Sequence, residues 1–507
     1  MLAAIRPLWR DVDAYVQVTQ GLSYVTIVQF SALYCFPARL PLYLGEIFEH
    51  RLFHFPWGKH DSPMRPALTN SGVFLLVLLQ HGLLLFAQFQ FVRAISKRRA
   101  VQIVVAILLA VNASFYAFTH SVGAEAVSLS TLLLLCAFAL RIFQQRHVSR
   151  ALWIGYFVAL SLCVILRHIN GVLPTILPGS LLLLLLFESR WLHDRWPRLR
   201  HYLADRKRKI AISLGLGGIS IALAIVVEHG LCRVANVAPN SIAGIAFSWR
   251  LDFYPRLAPE ARSALLDRMR KKTNDPVLLQ MLDCIPKGVT PENTWDMEPY
   301  EAALRQIPLP PSDRSTPNDE LKKYHNRFAA LFMKPPDPAL LSAVWTDFGG
   351  VWRTTPSHVA VAPFYTSLYY FDNPDRVKRL GPLNTFNRPD ARNEIIAESR
   401  SPYITLFAFP YAIAAGLWVL LAAISCRYPE GRRALCFTIS LVGTGALLEW
   451  MSVLFTVFEY RYTLPLWVLL YGAILIQAIA IFEGTRKRPN QRAESDSEGP
   501  LKLSSVT

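Results

Sequence analysis

Two carboxylates and a phenol lie close together near the amino terminus, at Asp11, Asp13 and Tyr15. A carboxylate can remove a proton from an attacking hydroxyl or amine, and a pair of carboxylates can bind a divalent cation. The same spacing suits an ordinary helix start, in which Asp11 caps the helix and Asp13 occupies the first turn, where the helix dipole favours acids. Taken alone, the motif leaves the catalytic and the capping interpretations open.

Further polar residues lie at the ends of long apolar segments. They are Glu125, Arg167, His168, Glu459, Arg461 and Tyr462. Charged groups at membrane depth are costly, so a set that faces one side of a membrane indicates a binding or catalytic site. Each residue also has a structural interpretation: an arginine that extends to the membrane surface, an acid favoured by a helix dipole, an interfacial ion pair between Glu459 and Arg461, or a tyrosine of the aromatic belt.

The composition is typical of a membrane protein. Of the 507 residues, 52% are hydrophobic and 18% are charged, whereas soluble proteins average about 25% charged residues. The net charge of +17 comes from Lys and Arg residues that cluster between apolar segments, as membrane topology requires, so no nucleic-acid partner is expected. The seven cysteines show no zinc-ligand spacing, and a disulfide between Cys232 and Cys284 stays open.

The apolar segments predict an all-α polytopic membrane protein with about nine to ten transmembrane helices, because about 20 mostly apolar residues cross a bilayer. Nine segments are clear, and 18–36, which is richer in Gln, Ser and Thr, is expected to be re-entrant or to lie in the membrane interface. The nine predicted spans are 73–93, 100–118, 124–142, 151–167, 171–188, 210–229, 401–425, 434–456 and 463–482.

Basic connections alternate along the chain with connections that are nearly free of lysine. The basic segments are 93–99, 141–150, 190–209, 427–433 and the tail from 486. Cytoplasmic connections carry the excess of Lys and Arg, so these segments are expected in the cytoplasm, and residues 1–72 and 230–400 outside it. The outer segment contains no Asn-x-Ser/Thr sequence, which favours a bacterial inner membrane with this segment in the periplasm.

These boundaries predict five parts of the chain. They are a first outer loop with the acidic motif and interfacial helices (1–72), membrane helices (73–229), an extracytoplasmic domain (230–400), the last membrane helices (401–485) and a disordered cytoplasmic tail (486–507). The outer domain is expected to be mostly helical, because its apolar residues recur three and four positions apart. Asp337 is expected to cap a helix that begins at Pro338.

The order and sidedness of these motifs resemble the GT-C glycosyltransferases, polytopic enzymes that use polyprenyl-phosphate sugars and include protein O-mannosyltransferases and lipid A aminoarabinose transferases. The acidic motif at 11–15 is similar to the acidic first outer loop of that family, and the segment 39–44 (RLPLYL) is similar to its proline-rich segment. Other similar motifs are Glu125 opening a span, Arg167 and Asn170 ending one, Trp345 before Thr355-Pro356-Ser357-His358, and Arg461-Tyr462 before Pro465. The resemblance covers most of 11–170 and 337–482.

The resemblance implies transfer of a sugar from a polyprenyl-phosphate donor to an acceptor hydroxyl or amine, with inversion at the anomeric carbon. Asp13 or Asp11 would be the general base, and Asp13 is favoured because it lies nearer Tyr15. The donor phosphate would be bound by Arg461, Arg167 and His168, since guanidinium groups pair with phosphate oxygens. The other substrate-binding residues would be Tyr15, Arg39, Glu125, Glu459 and Tyr462.

The implied partners are the polyprenyl-phosphate-linked sugar, membrane lipids and an acceptor that the sequence does not identify. No cofactor is certain, and a divalent metal on the aspartate pair stays open. Two other functions would use the same charged residues: a transporter or flippase of lipid-linked saccharides, and a non-catalytic relative that binds a glycolipid. Many transporters have paired halves, and no such internal symmetry is visible here.

Overall fold

The computed structural model describes residues 8–9, 32–48, 69–191, 196–234, 242–290, 298–308, 317–371, 391–456 and 458–497. Helices dominate this part of the chain, which confirms the all-α prediction. Its strands form one short parallel pair, β1 (Leu8–Trp9) with β2 (Ser121–Val122).

The helices follow in chain order. They are α1 (Ala32–Glu46), α2 (Asn70–Ile95), α3 (Arg99–Ala110), α4 (Ala113–Thr119), α5 (Ala124–Gln144), α6 (Arg150–Leu166), α7 (Ile176–Trp191), α8 (Trp196–Val234), α9 (Ile242–Arg250), α10 (Pro259–Arg270), α11 (Pro276–Gly288), α12 (Glu298–Leu304), α13 (Pro317–Met333), α14 (Pro338–Arg353), α15 (Pro356–Phe371), α16 (Ala391–Ser399), α17 (Pro402–Thr405), α18 (Tyr411–Ser425), α19 (Pro429–Phe455) and α20 (Leu464–Ser497). Short 3-10 helices cover His168–Thr175, Leu251–Arg256 and Tyr460–Thr463.

Six helices of the described chain are long and apolar enough to cross a membrane. The pair α3 and α4, bent by 61°, raises the number to seven if it forms one span. The described residues therefore contain six or seven helices of this kind and not the nine to ten predicted spans. The six helices are Ser71–Ile95, Ala124–Gln144, Ile169–Phe187, Ala204–Gly230, Pro429–Phe455 and Tyr460–Arg486.

Three predicted spans are not single long helices, because they are interrupted or short. Segment 100–118 breaks between α3 and α4, and segment 401–425 breaks between α17 and the 15-residue α18. Segment 151–167 forms α6, which has 17 residues. A helix rises about 1.5 Å per residue, so such helices are short for a hydrocarbon core of about 30 Å.

Polar side chains hold the break between α3 and α4. The side chain of Asn112 is buried there and accepts a hydrogen bond from Trp467 Nε1 at 3.3 Å. The hydroxyls of Tyr471 and Tyr403 donate to the carbonyls of Leu108 and Ala110 at 2.7 and 2.9 Å. These bonds satisfy carbonyls that the helix itself leaves without partners, which makes an interruption tolerable next to a membrane.

Helix α5 lies at the centre of the bundle and α8 lies at its edge. In the most apolar stretch of each helix, 78% of the residues are buried for α5 but only 22% for α8. A helix that is apolar on all sides needs protein or lipid around it. Helices α2, α6 and α20 pack against α5, whereas most residues in the apolar stretch of α8 are not buried by other helices.

The basic ends of the helices meet at one end of the bundle, which we call the basic end. Arg141 on α5 donates to the Gln90 carbonyl of α2 at 3.2 Å. Lys209 on α8 donates to the Gln145 carbonyl at 2.7 Å. Ser96, at the end of α2, donates to Glu483 on α20 at 2.8 Å. These contacts agree with the charge alternation in the sequence.

The described part of the outer segment 230–400 is mainly helical, as expected. Asp337 caps α14 as predicted, because its carboxylate accepts the Ala339 N–H at 2.9 Å. Cys284 is a buried free thiol, and the side chain of Cys232 lies outside the described residues. A cluster of phenylalanines joins α9 to α13, with the Phe247 and Phe332 ring centroids 5.3 Å apart.

A network of charged side chains lies between α9, the 3-10 helix that follows it, and α14. Arg250 donates to Asp252 at 3.1 Å and to Asp347 at 2.6 Å, and Arg256 donates to Asp347 at 2.7 Å and also pairs with Asp252. Arg250, Asp252 and Asp347 are buried. Burial lowers the pKa of Arg250, and the carboxylate of Asp347 opposes that shift. The network ties α9 and the following 3-10 helix to α14.

Removing Arg250 should be much more damaging than removing an exposed arginine. The Arg250→Met variant leaves two buried carboxylates with less compensation, which typically costs about 3–5 kcal/mol. Arg270→Met, which breaks partly exposed pairs with Asp267 and Asp283, should cost about 0–1 kcal/mol. Thermal unfolding of both variants in detergent checks the order, and equal midpoints would contradict a stabilising network.

The cap at Asp337 should make stability depend on pH. Burial alone would raise the pKa of Asp337, but hydrogen bonds from Arg268 and the Ala339 N–H outweigh it, and the net pKa is lowered. The carboxylate therefore stabilises the fold above the unfolded pKa of about 4, and this contribution is lost as pH falls through the lower folded pKa. Asp337→Asn should be less stable than the unmodified protein at pH 7, with the difference shrinking below about pH 4. A constant difference in thermal midpoint across that range would contradict this assignment.

Candidate functional site

Predicted residues from three separate motifs meet at the end of the bundle away from the basic end. Glu125 lies in the first turn of α5, whose opposite end carries Arg141. Arg167 directly follows α6. Glu459, Arg461 and Tyr462 belong to the turn that leads into α20. We call this group the polar-end site.

The local sequence explains why Arg167 leaves its helix here. The side chain of Asn170 donates to the Cys163 carbonyl at 2.9 Å, and the Arg167 N–H donates to the same carbonyl at 3.3 Å. These bonds satisfy the end of α6 and start the 3-10 helix that contains Pro174. The chain therefore turns, and the Arg167 side chain reaches α5.

Arg167 and Glu125 form a largely buried ion pair. The Arg167 Nη2 lies 3.5 Å from the Glu125 Oε1, and the two side chains are 17% and 4% exposed. Because burying charges is costly, such a pair persists only where the charges compensate each other. The sequence indicated both residues, and the structure adds their contact.

Tyr462 lies within reach of two guanidinium groups. The central carbon of Arg461 is 5.0 Å from its ring centroid, and that of Arg167 is 5.6 Å away. Both distances are within the range of cation–π attraction. Arg461 also donates to the Tyr462 hydroxyl at 3.2 Å and forms a close ion pair with Glu459.

The turn that carries Arg461 is fixed by its neighbours. The Tyr462 N–H donates to the Glu459 carbonyl at 3.0 Å, and the Thr463 hydroxyl donates to the Tyr460 carbonyl at 2.7 Å. Thr463 also shares a hydrogen bond of 3.0 Å with Tyr411 on α18. The turn that carries Arg461 is therefore held by hydrogen bonds both within itself and to α18.

Glu449 is a site residue that the sequence analysis missed. It is 1% exposed on α19, accepts the Leu466 N–H, and lies close enough to Arg167 to interact with it electrostatically. The signal was present, because an acid inside an apolar segment is a functional candidate. The site thus combines two arginines with three carboxylates.

The motif around His358 also reaches this end of the bundle. The His358 ring centroid is 5.4 Å from that of Tyr460. His358 lies on α15, which packs against α4, β1 and the turn of Tyr460. The structure thereby brings the 355–358 motif next to the turn that precedes α20.

A pair of histidines borders the strand pairing. His81 Nε2 and His120 Nδ1 are 3.2 Å apart. The Gln80 amide donates to the carbonyls of Thr119 and Ser121 at 3.0 and 2.9 Å, and so holds β2 against α2. Leu8 and Trp9 pair with β2 at this position, three residues before Glu125.

Other predicted residues are placed differently. Arg39 is half-buried on α1, a helix that packs against α2 and α6. The backbone of His168 begins the 3-10 helix, and its side chain lies outside the described residues. Asp11, Asp13 and Tyr15 also lie outside the described residues.

The described residues contain no cluster of side chains suited to a metal ion. No group of three or more His, Cys, Asp or Glu side chains in the described ranges has a geometry suited to a metal ion. The acidic motif, where a divalent metal stays open, is not covered by that search.

The arrangement suits binding of an anionic group next to the membrane. A guanidinium has five N–H donors, so Arg167 and Arg461 can each keep a carboxylate partner and still donate to a phosphate. Glu125 and Glu459 compensate the charges of the two arginines and also hold their guanidinium groups in place.

Comparison with protein-family models, with characterised proteins and with solved structures finds no match. The resemblance to GT-C glycosyltransferases therefore depends on the motifs and their placement.

A double-mutant cycle should detect the contact between Glu125 and Arg167. Each single variant, Glu125→Gln and Arg167→Gln, leaves a buried charge with less compensation, and the loss for Arg167→Gln should approach about 3–5 kcal/mol. The double variant should lose less than the sum by about 0.5–3 kcal/mol. Denaturation in mixed detergent micelles measures these differences.

A matched cycle at the other end of the same helix controls for general damage. Glu125→Gln and Arg141→Gln should be additive, because these residues occupy opposite ends of α5. Additivity in the Glu125 and Arg167 cycle as well would show that the two charges do not interact.

Proposed function

We propose that the chain is a membrane glycosyltransferase that moves a sugar from a polyprenyl-phosphate donor to an acceptor outside the cytoplasm. The observation that carries this proposal is the placement of Arg167 and Arg461 around Tyr462, at the end of the bundle away from the basic end. Two fixed guanidinium groups at a membrane boundary suit a lipid phosphate, which carries negative charge at the same depth.

The donor phosphate would bind to the arginines and leave during the reaction. As the bond between the anomeric carbon and the phosphate oxygen breaks, its electrons pass to the phosphate, and the two guanidinium groups stabilise the charge that develops. His168, next to Arg167 in the chain, is proposed to assist. Tyr462, Glu125 and Glu459 would position the arginines and the sugar.

The acceptor would attack from the opposite face of the sugar. Its hydroxyl or amine gives a proton to a carboxylate as the new bond forms, which inverts the configuration at the anomeric carbon. Asp13 is proposed as this base, with Asp11 as the alternative. The support is indirect: Leu8–Trp9, just before the motif in the sequence, pair with β2 close to Glu125.

The charge distribution supports an outward-facing site. The basic end carries the Lys and Arg excess typical of cytoplasmic connections. The polar-end site would then face the periplasm of a bacterial inner membrane. The acceptor is proposed to be a glycan, a lipid or a protein outside the cytoplasm.

A transfer assay tests this proposal. Purified full-length protein in detergent is given a panel of polyprenyl-phosphate hexoses and pentoses, and sugar release and transfer are measured. Arg461→Gln and Arg167→Gln should each lower turnover by roughly 10²–10³-fold, and Asp13→Asn by roughly 10²–10⁴-fold. Arg427→Gln, an exposed arginine at the basic end, should turn over normally.

The other outcomes distinguish the remaining functions. A larger loss in Asp11→Asn than in Asp13→Asn would move the base to Asp11. Donor binding without turnover would favour a non-catalytic glycolipid-binding protein. Movement of the donor across the membrane of reconstituted vesicles, again without turnover, would favour a flippase.

A further inference from the structure

A cavity with polar and charged walls lies at the basic end of the bundle. It has a volume of about 240 Å³ and is lined by residues of α2, α5, α7, α8, α19 and α20. Its charged lining consists of Arg206, Arg433, Glu430 and Glu483. This cavity lies away from the polar-end site and plays no part in the proposed transfer.

The lining carries two positive and two negative charges. A ligand that carries only a phosphate would be attracted by the two guanidinium groups and repelled by the two carboxylates. A ligand that carries only an amine would be attracted by the carboxylates and repelled by the guanidinium groups. A ligand that carries both groups can satisfy both pairs. Guanidinium pairs with phosphate oxygens, and a primary ammonium offers three donors to carboxylates.

The charged side chains are held in place by their surroundings. Arg206 is only 6% exposed, although it lies on α8, the helix at the edge of the bundle. Glu483 accepts a hydrogen bond from the Ser96 hydroxyl at 2.8 Å. This bond orients the carboxylate at the wall of the cavity.

The size and the remaining walls suit a lipid headgroup. The volume is below the roughly 300–1,000 Å³ of pockets that enclose a drug-sized molecule, so the cavity can hold a headgroup but not a whole lipid. Phe143 and Leu184 line its apolar wall.

We propose that this cavity binds the headgroup of a zwitterionic phospholipid with a primary amine, from the leaflet at the basic end. The phosphate lies against Arg206 and Arg433, and the ammonium lies against Glu430 and Glu483. The bound headgroup would then contact α8 and α19 through Arg206 and Arg433, and α20 through Glu483.

Native mass spectrometry of the full chain tests this proposal. The purified protein is exchanged into detergent with phosphatidylethanolamine, phosphatidylcholine or phosphatidylglycerol of identical acyl chains. Phosphatidylethanolamine should bind best, because the choline group cannot donate hydrogen bonds and the glycerol group carries no positive charge. Arg206→Gln should weaken its binding roughly tenfold, the loss expected for one charge-assisted hydrogen bond.

Matched variants separate binding from general damage. Arg208→Gln, exposed two residues along the same helix, should bind phosphatidylethanolamine normally. Glu483→Gln should lower binding of phosphatidylethanolamine and raise that of phosphatidylglycerol, a change of preference that misfolding does not produce. If Arg206→Gln is not monodisperse, Arg433→Gln takes its place.

Three results would overturn the proposal. Equal binding of the three lipids would indicate only the general lipid shell. Stronger binding of phosphatidylglycerol would indicate attraction to the basic surface. Equal effects of Arg206→Gln and Arg208→Gln on phosphatidylethanolamine binding would show that the four charged side chains of the cavity pair with one another and do not bind a lipid.

Discussion

The cost of placing charge at membrane depth governs the polar-end site. Arg167 cannot lie buried without carboxylates, and the structure supplies Glu125 in contact and Glu449 nearby. A buried carboxylate likewise is costly unless the charge of the arginine compensates it. The short helix α6, the turn held by Asn170 and the start of α5 are arranged so that these groups meet. The geometry of the site is therefore largely set by charge compensation.

The same constraint explains how Arg461 is placed. Its partner Glu459 lies in the same short turn, and Tyr462 brings its ring toward both arginines. A tyrosine offers a polar hydroxyl and a π face at once. It can thus hold two like charges close together, which would otherwise repel each other. A site for a phosphate needs this kind of preorganised positive charge.

The sequence predicted the class of fold, but not the number of long apolar helices or the contacts between the residues of the polar-end site. Hydropathy reports composition, and composition does not reveal that Asn112, Trp467 and Tyr471 stabilise a break. Glu449 was missed because it lies alone in an apolar segment, without a neighbour that forms a motif. Asp337 was predicted correctly because helix caps depend on local sequence.

Helix α14 connects the outer helices mechanically to the bundle. Arg250 joins it to α9, and Trp345 on α14 lies beside Trp450 on α19, with ring centroids 6.5 Å apart. Trp450 directly follows Glu449 in the chain. Helix α14 also packs against α18 and α19, and α9 packs directly against α19. The indole pair is thus one of several contacts that join the outer helices to the helix that carries Glu449.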